Sequence, residues 1–385
     1  MSSNGWRKYK LGELGKLARG KSKHRPRDAA FLYGGPYPFI QTGDIKSSNH
    51  KIYKYSQTYS EFGLAQSKLW KEGTIAITIA ANIAETGILT FPACFPDSVL
   101  GFVADKEKCD IEFMEYLLQH YKKQIQSHAV GSVQDNINLG TFENVEFDIP
   151  SLPIQRRIAD ILSALDEKIE LNRQTNATLE AIAQSIFREW FVDGKDVENW
   201  KVGKLEEIVD INMGQSPSGK SYNQNGEGII FFQGKAEFGF RFPTVDKYTT
   251  EPKKFAKPFD TLLSVRAPVG SINMASEKCC IGRGLAAISG KNNVWSFTFY
   301  LLKSLEEHFN SYEGTGTVFG SINKKELENI TVVIPPQETI SEFERIVNPI
   351  DMAIFNLEQQ SATLASLRDT LLPKLMSGDI EITNN

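Results

Sequence analysis

The two halves of this 385-residue sequence repeat each other, and this internal repeat limits the possible folds more than any other feature. The pattern Trp-x4-Leu-x-Glu, followed by Leu or Ile, occupies residues 6–14 and again residues 200–208. Later in each half, Ile-Pro at residues 149–150 matches Ile-Pro at 334–335, and a constant shift of 185 residues carries the match into the segments that follow. Chance similarities drift in register, so the constant shift indicates a tandem duplication. We therefore expect two copies of one structural unit.

Each half begins with a segment whose pattern predicts a compact α+β domain. Short runs of β-branched and apolar residues, such as 73–79 and 261–265, predict strands, and Gly and Pro separate these runs. Residues 111–125 have the apolar spacing of a helix instead. We expect these domains to span residues 1–148 and 195–333.

The segment after each domain predicts one long helix, over residues 149–194 in the first half and 334–385 in the second. Apolar residues recur there at alternating steps of four and three, which is the heptad pattern of a coiled coil. Because an apolar seam is unstable in water, we expect the two helices to pair as an antiparallel coiled coil, with pseudo-two-fold symmetry between the halves. The seam positions of the first helix are Ile158, Leu162, Leu165, Ile169, Asn172, Asn176, Leu179, Ala183, Ile186 and Trp190.

Polar residues and a proline interrupt this seam. Asn172 and Asn176 fall on it, where a buried amide costs stability but can fix the register of a helix pair; the alternative is a weak helix end. Pro349 lies inside the second helix and lacks the N–H group that a helix interior uses. We expect either a kink at Pro349 or a separate short helix before it.

The charge of the chain is unevenly distributed. A formal net charge of −4 would speak against a nucleic-acid partner if it were evenly spread. The net charge is instead +7 over residues 1–100, −8 over 101–200, +4 over 201–300 and −7 over 301–385. Each half therefore begins with a basic lobe, which a partner rich in phosphate groups would require.

Several classes of protein are excluded by sequence features. The first residues form no apolar signal-peptide region, and no apolar run approaches the ~20 residues of a membrane helix. The four cysteines have no CxxC spacing and the histidines are scattered, so we expect neither a metal site nor a disulfide framework. These features predict a cytoplasmic protein without membrane contact and without a cofactor of its own.

A phosphate-binding pattern occurs at residues 214–221, where Gly-Gln-Ser-Pro-Ser-Gly-Lys-Ser satisfies GxxxxGK[ST]. The motif needs a helix that opens at the lysine, but residues 222–228 are rich in Asn and Gly and begin a helix poorly. The matching loop of the first half, residues 20–25, breaks the pattern. We interpret the match as chance. Because methyltransferase and nuclease motifs are also missing, we expect no catalysis by this chain; an ATPase or nuclease using this loop is the alternative.

A cluster of cations follows the first repeated glycine, in the run Lys-Ser-Lys-His-Arg-Pro-Arg at residues 21–27. Such a loop can be ordinary solvated surface, but in a basic lobe it is suited to neutralise phosphates while nearby amides and hydroxyls reach base edges. Arg266 and Arg283 could instead be structural salt-bridge partners, and Tyr222 could pack in the core. The candidate DNA-binding residues are Lys21, Ser22, Lys23, His24, Arg25, Arg27, Gln41, Thr42, Asp44, Gln134, Asn136, Gln215, Ser216, Ser218, Lys220, Tyr222, Gln233, Lys235, Arg266, Thr315 and Thr317.

Several motifs, taken in order, make the chain resemble a known family. Besides the Trp-x4-Leu openings and the Ile-Pro pairs, they are Leu165-Asp-Glu-Lys-Ile-Glu-Leu-Asn172, Phe187-Arg-Glu-Trp-Phe191, Ser264-Val-Arg-Ala-Pro-Val-Gly270 and Leu371-Leu-Pro-Lys-Leu-Met-Ser-Gly378. This set is similar to the specificity (S) subunits of type I restriction–modification systems, and the resemblance covers essentially the whole chain. Residues 151–155 and 337–339 are loose versions of the Pro/Glu-Gln helix entry of that family.

The resemblance implies a division of labour along the chain. Residues 1–148 and 195–333 would be two target-recognition domains, each reading one half of a bipartite site in double-stranded DNA, and residues 149–194 and 334–385 would be helical spacers. The implied partners are two modification (methyltransferase) subunits and restriction subunits, which would hold S-adenosylmethionine, ATP and Mg²⁺. A duplicated coiled-coil scaffold that does not bind DNA is the alternative from another class.

Overall fold

The computed structural model describes residues 6–48, 50–130, 140, 145–312, 320–380 and 382, of which residues 128–130 are described by their backbone alone. The chain divides into two compact units. The first unit consists of Met1–Ile169 and Thr363–Asn385, and the second of Glu170–Ala362. Each unit therefore combines one globular domain with a segment from each of two long helices.

Helices and strands are mixed along both units. The helices are α1 (Leu11–Leu14), α2 (Thr42–Ser47), α3 (Glu61–Ala65), α4 (Ile111–Val130), α5 (Leu152–Phe191), α6 (Trp295–Ser304), α7 (Glu306–Asn310), α8 (Lys324–Glu328) and α9 (Gln337–Met376). The strands of the first unit are β1 (Arg7–Lys10), β2 (Gly15–Arg19), β3 (Tyr33–Phe39), β4 (Lys51–Ile52), β5 (Gln57–Tyr59), β6 (Leu69–Trp70), β7 (Ile75–Thr78), β8 (Thr86–Leu89), β9 (Ala93–Cys94), β10 (Val99–Ala104) and β11 (Glu146–Ile149). Those of the second are β12 (Lys201–Lys204), β13 (Val209–Met213), β14 (Tyr222–Asn223), β15 (Ile229–Phe232), β16 (Tyr248–Thr249), β17 (Phe255–Ala256), β18 (Thr261–Ser264), β19 (Ile272–Met274), β20 (Cys279–Ile281), β21 (Leu285–Gly290) and β22 (Thr331–Ile334).

The globular domain of the first unit is built on a five-stranded sheet in the order β2-β10-β7-β8-β4. A four-stranded sheet, β5-β3-β9-β6, and the ribbon β1-β11 complete it. Every residue of β7 is buried, which agrees with its unbroken apolar and β-branched sequence, because a central strand covered on both faces needs no polar side. Helix α4 covers the sheet, and its Phe113 and Leu117 lie in one buried cluster with Ile75 and Ile88.

The second unit repeats this arrangement. Its sheet β13-β21-β18-β19 has the same sequence of strand pairings as β2-β10-β7-β8, and the ribbon β12-β22 corresponds to β1-β11. The last residues of the two ribbons, Ile149 and Ile334, pair with Arg7 and Lys201 respectively. The predicted tandem duplication and the α+β class of each half are therefore confirmed.

The long helices α5 and α9 contain 40 residues each. Within the second unit their segments run antiparallel, since Asn172 Nδ2 donates to Gln360 Oε1 at 2.9 Å and Asn176 Nδ2 donates to Glu358 Oε1 at 2.9 Å. Both asparagines are buried, so a slip of one helix along the other would leave their amide N–H groups without acceptors. These contacts fit the predicted role of the two asparagines in fixing the register. Supercoiling of the pair stays a prediction.

Helix α9 continues through Pro349 from Gln337 to Met376, so of the two expected alternatives the separate first helix is wrong, and the kink stays a prediction. A proline in a helix interior removes one hydrogen bond to the preceding turn. On either side of it, Val347 is buried in the core of the second unit and Ile350 packs against that core. Tertiary packing therefore holds the helix across a residue that would break an isolated one.

The long helices form part of the cores of the globular domains. In the second unit, Phe187 and Phe191 of α5 lie in one buried cluster with Phe297 of α6. The rings of Phe191 and Phe297 meet edge to face, with their centroids 5.0 Å apart. In the first unit, Leu162 of α5 and Leu375 of α9 are buried in the cluster that contains the central sheet. Each domain thus shares its core with the helical segments of its own unit.

We expect Phe187→Ala to destabilise the second unit by about 3–5 kcal/mol, because a buried aromatic ring is replaced by a cavity. Urea unfolding followed by hydrogen exchange in β18 and β21 would measure the loss. Ile182→Ala, on an exposed position of the same helix, is the matched control and should cost less than about 1 kcal/mol. Equal losses for the two variants would show that α5 contributes no core to this unit.

Candidate nucleic-acid interface

The first candidate surface is the loop at residues 20–27, which follows β2. The backbone N–H of Gly20 donates to the carbonyl oxygen of Val99 at 2.9 Å, and that of Lys21 donates to the carbonyl oxygen of Phe95 at 3.1 Å. These bonds attach the start of the loop to the segment at the beginning of β10. The first two residues of the loop are therefore held by their backbone, and Nη1 of Arg25 supports the part that follows by donating to the carbonyl oxygens of Ser22 and His24 at 2.7 and 2.8 Å.

The cations of this loop are exposed. Lys21 and Lys23 extend into solvent, and Arg25 and Arg27 lie beside the carboxylate of Asp97. Nη2 of Arg27 is 2.9 Å from both carboxylate oxygens, and Nη2 of Arg25 is 3.9 Å from one of them. Exposed ion pairs contribute little to stability, but the bidentate contact with Asp97 orients the guanidinium group of Arg27. The structure thus brings together four of the predicted cations.

Aromatic residues beside this loop were missed by the sequence reasoning. The ring of His24 packs edge-on against Phe31, with centroids 5.0 Å apart, and Phe31 packs against Phe62 at 6.0 Å. Phe31 is 53% exposed and Phe62 is 68% exposed. Touching apolar side chains on a surface often mark an interaction site.

The sequence reasoning also missed Lys68, whose pKa is lowered by burial and by the nearby Lys21. Neither feature has a periodic sequence signal that could have revealed it.

Two candidates in the first domain have structural roles. Ser22 is buried, with its hydroxyl 3.5 Å from that of Tyr59, so it offers no surface to a DNA base and is withdrawn from the candidate set. The carboxylate of Asp44 accepts a hydrogen bond from the backbone N–H of Gln41 at 2.8 Å and so caps α2. Gln41 and Thr42 remain partly exposed at the start of that helix.

The second unit holds its matching loop, residues 214–221, in the same way. The backbone N–H of Gly214 donates to the carbonyl oxygen of Leu285 at 2.9 Å, and that of Gln215 donates to the carbonyl oxygen of Ile281 at 3.0 Å. The acceptors lie at the start of β21 and just before it, as they do around β10 in the first unit. The two loops therefore have a common support and different side chains.

Both loops begin with a glycine because the backbone approaches too closely for a side chain. A Cβ atom on Gly20 would lie 2.2 Å from the carbonyl oxygen of Pro96. On Gly214 it would lie 2.2 Å from the carbonyl oxygen of Gly282. The repeated glycine is thus explained by packing, with no need for a bound phosphate.

The loop at residues 214–221 does not have the geometry of a phosphate-binding motif. Gly219–Ser221 forms a single 3₁₀ turn, and strand β14 follows it, so no helix opens at Lys220. The hydroxyl of Ser221, which the motif would place on a metal ion, donates to the carbonyl oxygen of Ser218 at 2.7 Å. The interpretation of the sequence match as chance is confirmed.

The other candidates of the second domain fall into two groups. In the first group the side chain makes a hydrogen bond to the protein backbone and so helps to hold the fold. Ser216 accepts from the backbone N–H of Arg283 at 3.2 Å, and the hydroxyl of Tyr222 donates to the carbonyl oxygen of Pro217 at 3.1 Å. The exposed group consists of Gln215, Ser218, Lys220, Gln233, Lys235 and Arg266.

Four of the candidate residues lie beyond what the structure describes. Gln134, Asn136, Thr315 and Thr317 are outside the described residues. Among the residues that are described, no helix is both long and apolar enough to span a membrane. The same part of the chain contains no group of three or more His, Cys, Asp or Glu side chains placed to hold a metal ion.

Comparison with known proteins matches both halves of the chain. The model of the type I restriction modification DNA specificity domain matches residues 3–181 and 197–363. The type I restriction enzyme MjaX specificity subunit of Methanocaldococcus jannaschii is 35% identical over 300 residues, which cover 72% of this chain and 70% of that protein. The MjaIX specificity subunit of the same organism is 25% identical over 418 residues, covering 98% of this chain and 94% of that protein. The crystal structure of the S subunit of a type I restriction–modification system from M. genitalium shares the fold, with a TM-score of 0.65 at 19% identity, covering 100% of this chain and 98% of that one.

The chain therefore belongs to the type I restriction–modification DNA specificity family, because the family model covers both halves and a relative with 35% identity spans most of the chain. It is a DNA sequence-specificity subunit, and the catalytic activities of such systems lie in other subunits. The resemblance drawn from the sequence motifs is confirmed. The scaffold and ATPase alternatives find no support.

Gly214→Ala should displace or destabilise the second loop by about 1–3 kcal/mol, because the new Cβ atom would meet backbone that cannot move aside. Gly219→Ala, in the same loop, is the control: no atom lies within 4 Å of its Cβ position. Thermal unfolding and hydrogen exchange at residues 214–221 would compare the two. The loop support described above would be wrong if both variants behaved alike.

Proposed function

We propose that the two globular domains, residues 1–148 and 195–333, are target-recognition domains that each read one half of a bipartite site in double-stranded DNA. The observation that carries this proposal is the pair of loops at residues 20–27 and 214–221. Equivalent backbone hydrogen bonds hold both loops, while their side chains differ. Two domains that recognise different half-sites need loops that are held by the same backbone hydrogen bonds but carry different side chains. The reason is that side-chain donors and acceptors distinguish the base edges.

In the first domain, the exposed loop supplies the contacts to the DNA backbone. Lys21 and Lys23 neutralise phosphates as point charges, while Arg25 and Arg27 offer planar, bidentate donors. Asp97 keeps Arg27 oriented before binding, and the carbonyl oxygens of Ser22 and His24 orient Arg25. A phosphate or a guanine edge can replace Asp97 as the partner of one guanidinium, since each presents matching acceptors.

The exposed aromatic pair beside this loop supplies apolar contact. Phe31 and Phe62 lie on the same side of the loop as His24, with which Phe31 is in contact. Aromatic side chains in the major groove contact thymine methyl groups, so the pair can add sequence preference to a surface otherwise dominated by charge.

The second domain uses a different set of side chains around its equivalent loop. Lys220, Lys235 and Arg266 provide exposed positive charge, and Gln215 and Gln233 provide amides that can pair with adenine edges. This mixture is richer in amides than the first loop. Different half-site sequences follow from that difference.

The chain acts in the cytoplasm with two modification (methyltransferase) subunits and with restriction subunits. S-adenosylmethionine, ATP and Mg²⁺ belong to those partners, which carry the chemistry. Ile182 on α5 and Leu367 on α9 are exposed apolar residues at equivalent positions of the repeat, 185 residues apart. Such a repeated exposed position fits the docking of two copies of one partner.

The double variant Lys21→Ala/Lys23→Ala should weaken DNA binding and reduce the slope of log K against log salt concentration by about two, because each lysine releases roughly one counterion on binding. Binding of the subunit, with its methyltransferase partner, would be titrated from 50 to 300 mM salt. Lys106→Ala/Lys123→Ala, which removes two exposed lysines outside the loop, should leave the slope unchanged. An unchanged slope in the first variant would remove the loop from the DNA interface.

Exchanging residues 1–148 for the matching segment of a relative should change one half of the methylated site and leave the other half intact. The reason is that each domain has its own sheet, core and loop support. Mapping methylated adenines across a genome, with either chain expressed beside the partner subunits, would show the change. A simultaneous change in both halves would contradict the assignment of one half-site to each domain.

A further inference from the structure

Each globular domain contains a buried cationic side chain close to the long helices of its unit. In the first unit it is His50, which is 4% exposed and has a hydrogen-bond contact between each ring nitrogen and a carboxylate of α4, from Glu112 and Glu115. Its ring stacks on Tyr116 with centroids 4.1 Å apart. The hydroxyl of Tyr116 donates to Asp166 of α5 at 2.5 Å, which connects the domain to the long helix.

In the second unit the buried cation is Arg241, which is 1% exposed. Its Nη1 donates to Asp351 of α9 at 3.0 Å and its Nη2 to the hydroxyl of Tyr300 at 2.9 Å. Tyr300 in turn donates to Asp351 at 2.8 Å. Nη2 of Arg241 also lies 3.3 Å from Glu180 of α5, so this cation contacts both long helices directly.

The two cations occupy the same place in the repeated fold. The carbonyl oxygen of His50 accepts a hydrogen bond from Ile88 of β8 at 3.0 Å, and that of Arg241 accepts one from Met274 of β19 at 2.9 Å. Strands β8 and β19 have corresponding positions in their sheets, next to β7 and β18. No sequence motif marks either residue.

Their partners on the helices are also equivalent. Asp166 and Asp351 are 185 residues apart, which is the register of the repeat, and each accepts a hydrogen bond from a tyrosine in the helix that covers its domain. A further cation, Arg368, binds Asp166 at 2.5 Å in the first unit. The residue 185 positions before Arg368 is Ala183, so in the second unit Arg241 supplies from the domain the charge that the helix lacks.

We propose that His50 and Arg241 are equivalent positioning residues. Each fixes its recognition domain on the helical segments of its own unit, and so keeps the loop at residues 20–27 or 214–221 in the position that binds DNA. This inference rests on the proposed function, because it assigns the two residues a part in half-site recognition. Neither side chain can meet DNA itself, since both are buried. Their effect passes through Tyr116 and Asp166 in one unit and through Tyr300 and Asp351 in the other.

The two positioning residues, His50 and Arg241, differ in their response to pH. Burial lowers the pKa of His50, but the Glu115 carboxylate and the hydrogen bonds with Glu112 and Glu115 outweigh burial and raise it to about 9. The imidazole also has Lys51 nearby, which is 3.0 Å from Glu112. The other groups around it are Tyr116, Thr86, Gln119, Asp166, Glu167 and Arg368. Because the folded-state pKa of His50 exceeds the ordinary value of 6.5, its contribution is complete below pH 6.5 and is lost as the pH rises through about 9. Arg241 keeps its charge throughout this range.

The test compares His50 variants in the full chain with its methyltransferase partner, across pH 7.5–9.5. The probe is a duplex that carries the site methylated in cells expressing the complex, against a scrambled duplex. We expect the dissociation constant of the unsubstituted protein for the specific duplex to rise by up to about fourfold over this range, because a group with a pKa of about 9 is still protonated in about a quarter of the molecules at pH 9.5. His50→Gln should bind weakly at every pH, and His50→Arg, which copies the second unit, should remove the pH dependence. The salt slope should stay the same in both variants, because no phosphate contact is lost.

Hydrogen exchange of the chain alone provides the second measurement and does not depend on DNA. After correction for intrinsic rates, protection of β8 and α4 should fall between pH 7.5 and 9.5, while protection of β19 and α6 should not. Equal pH profiles for the unsubstituted protein and His50→Gln, in binding and in exchange, would overturn the proposal. If the unsubstituted protein failed to distinguish the two duplexes, the proposed function would fail. The exchange result would still decide whether His50 holds the first domain on the helical segments of its unit.

Discussion

Burial of the long helices in the cores of the globular domains is the constraint on which the rest of this structure depends. A helix of 40 residues with an apolar stripe gains most of its stability from packing that stripe, since isolated helices are marginal in water. In the second unit the stripe ends in Phe187 and Phe191, which join the same cluster as the sheet residues Leu263 and Ile288. The domain and its helical segments therefore fold as one unit. The loop at residues 214–221, which is attached to the sheet, has a fixed position relative to α5 for the same reason.

The repeat, the α+β class and the long helices could be predicted because a duplication preserves residue types in register. Strand runs and heptad steps depend only on local order along the chain. The division into units could not be predicted, because the segment that completes the first unit with Met1–Ile169 is Thr363–Asn385, from the far end of the sequence. Pro349 illustrates the same limit: its effect on α9 depends on packing partners that are distant in sequence.

The candidate interface was predictable in outline and not in detail. The cations at residues 21–27 are visible as a run, and the structure leaves them exposed. Ser22 lies between two exposed lysines, yet it is buried because the chain turns its hydroxyl toward Tyr59. Phe31 and Phe62 are 31 positions apart and meet only because β3 and β5 pair between them, which no local pattern could show.

The alternation of charge along the chain has two physical causes that the sequence alone does not separate. One is the set of exposed cations on the loops, which remain available to phosphates. The other is complementarity inside the second unit, where Asp351 and Glu180 on the acidic helical segments neutralise Arg241 of the basic lobe. A buried cation paired in this way cannot bind DNA without leaving its carboxylate unpaired, which costs about 3–5 kcal/mol. The net charge of a basic lobe therefore overstates the charge that it can offer to DNA, and part of the acidity of the helices is the counterpart of the domains that they hold.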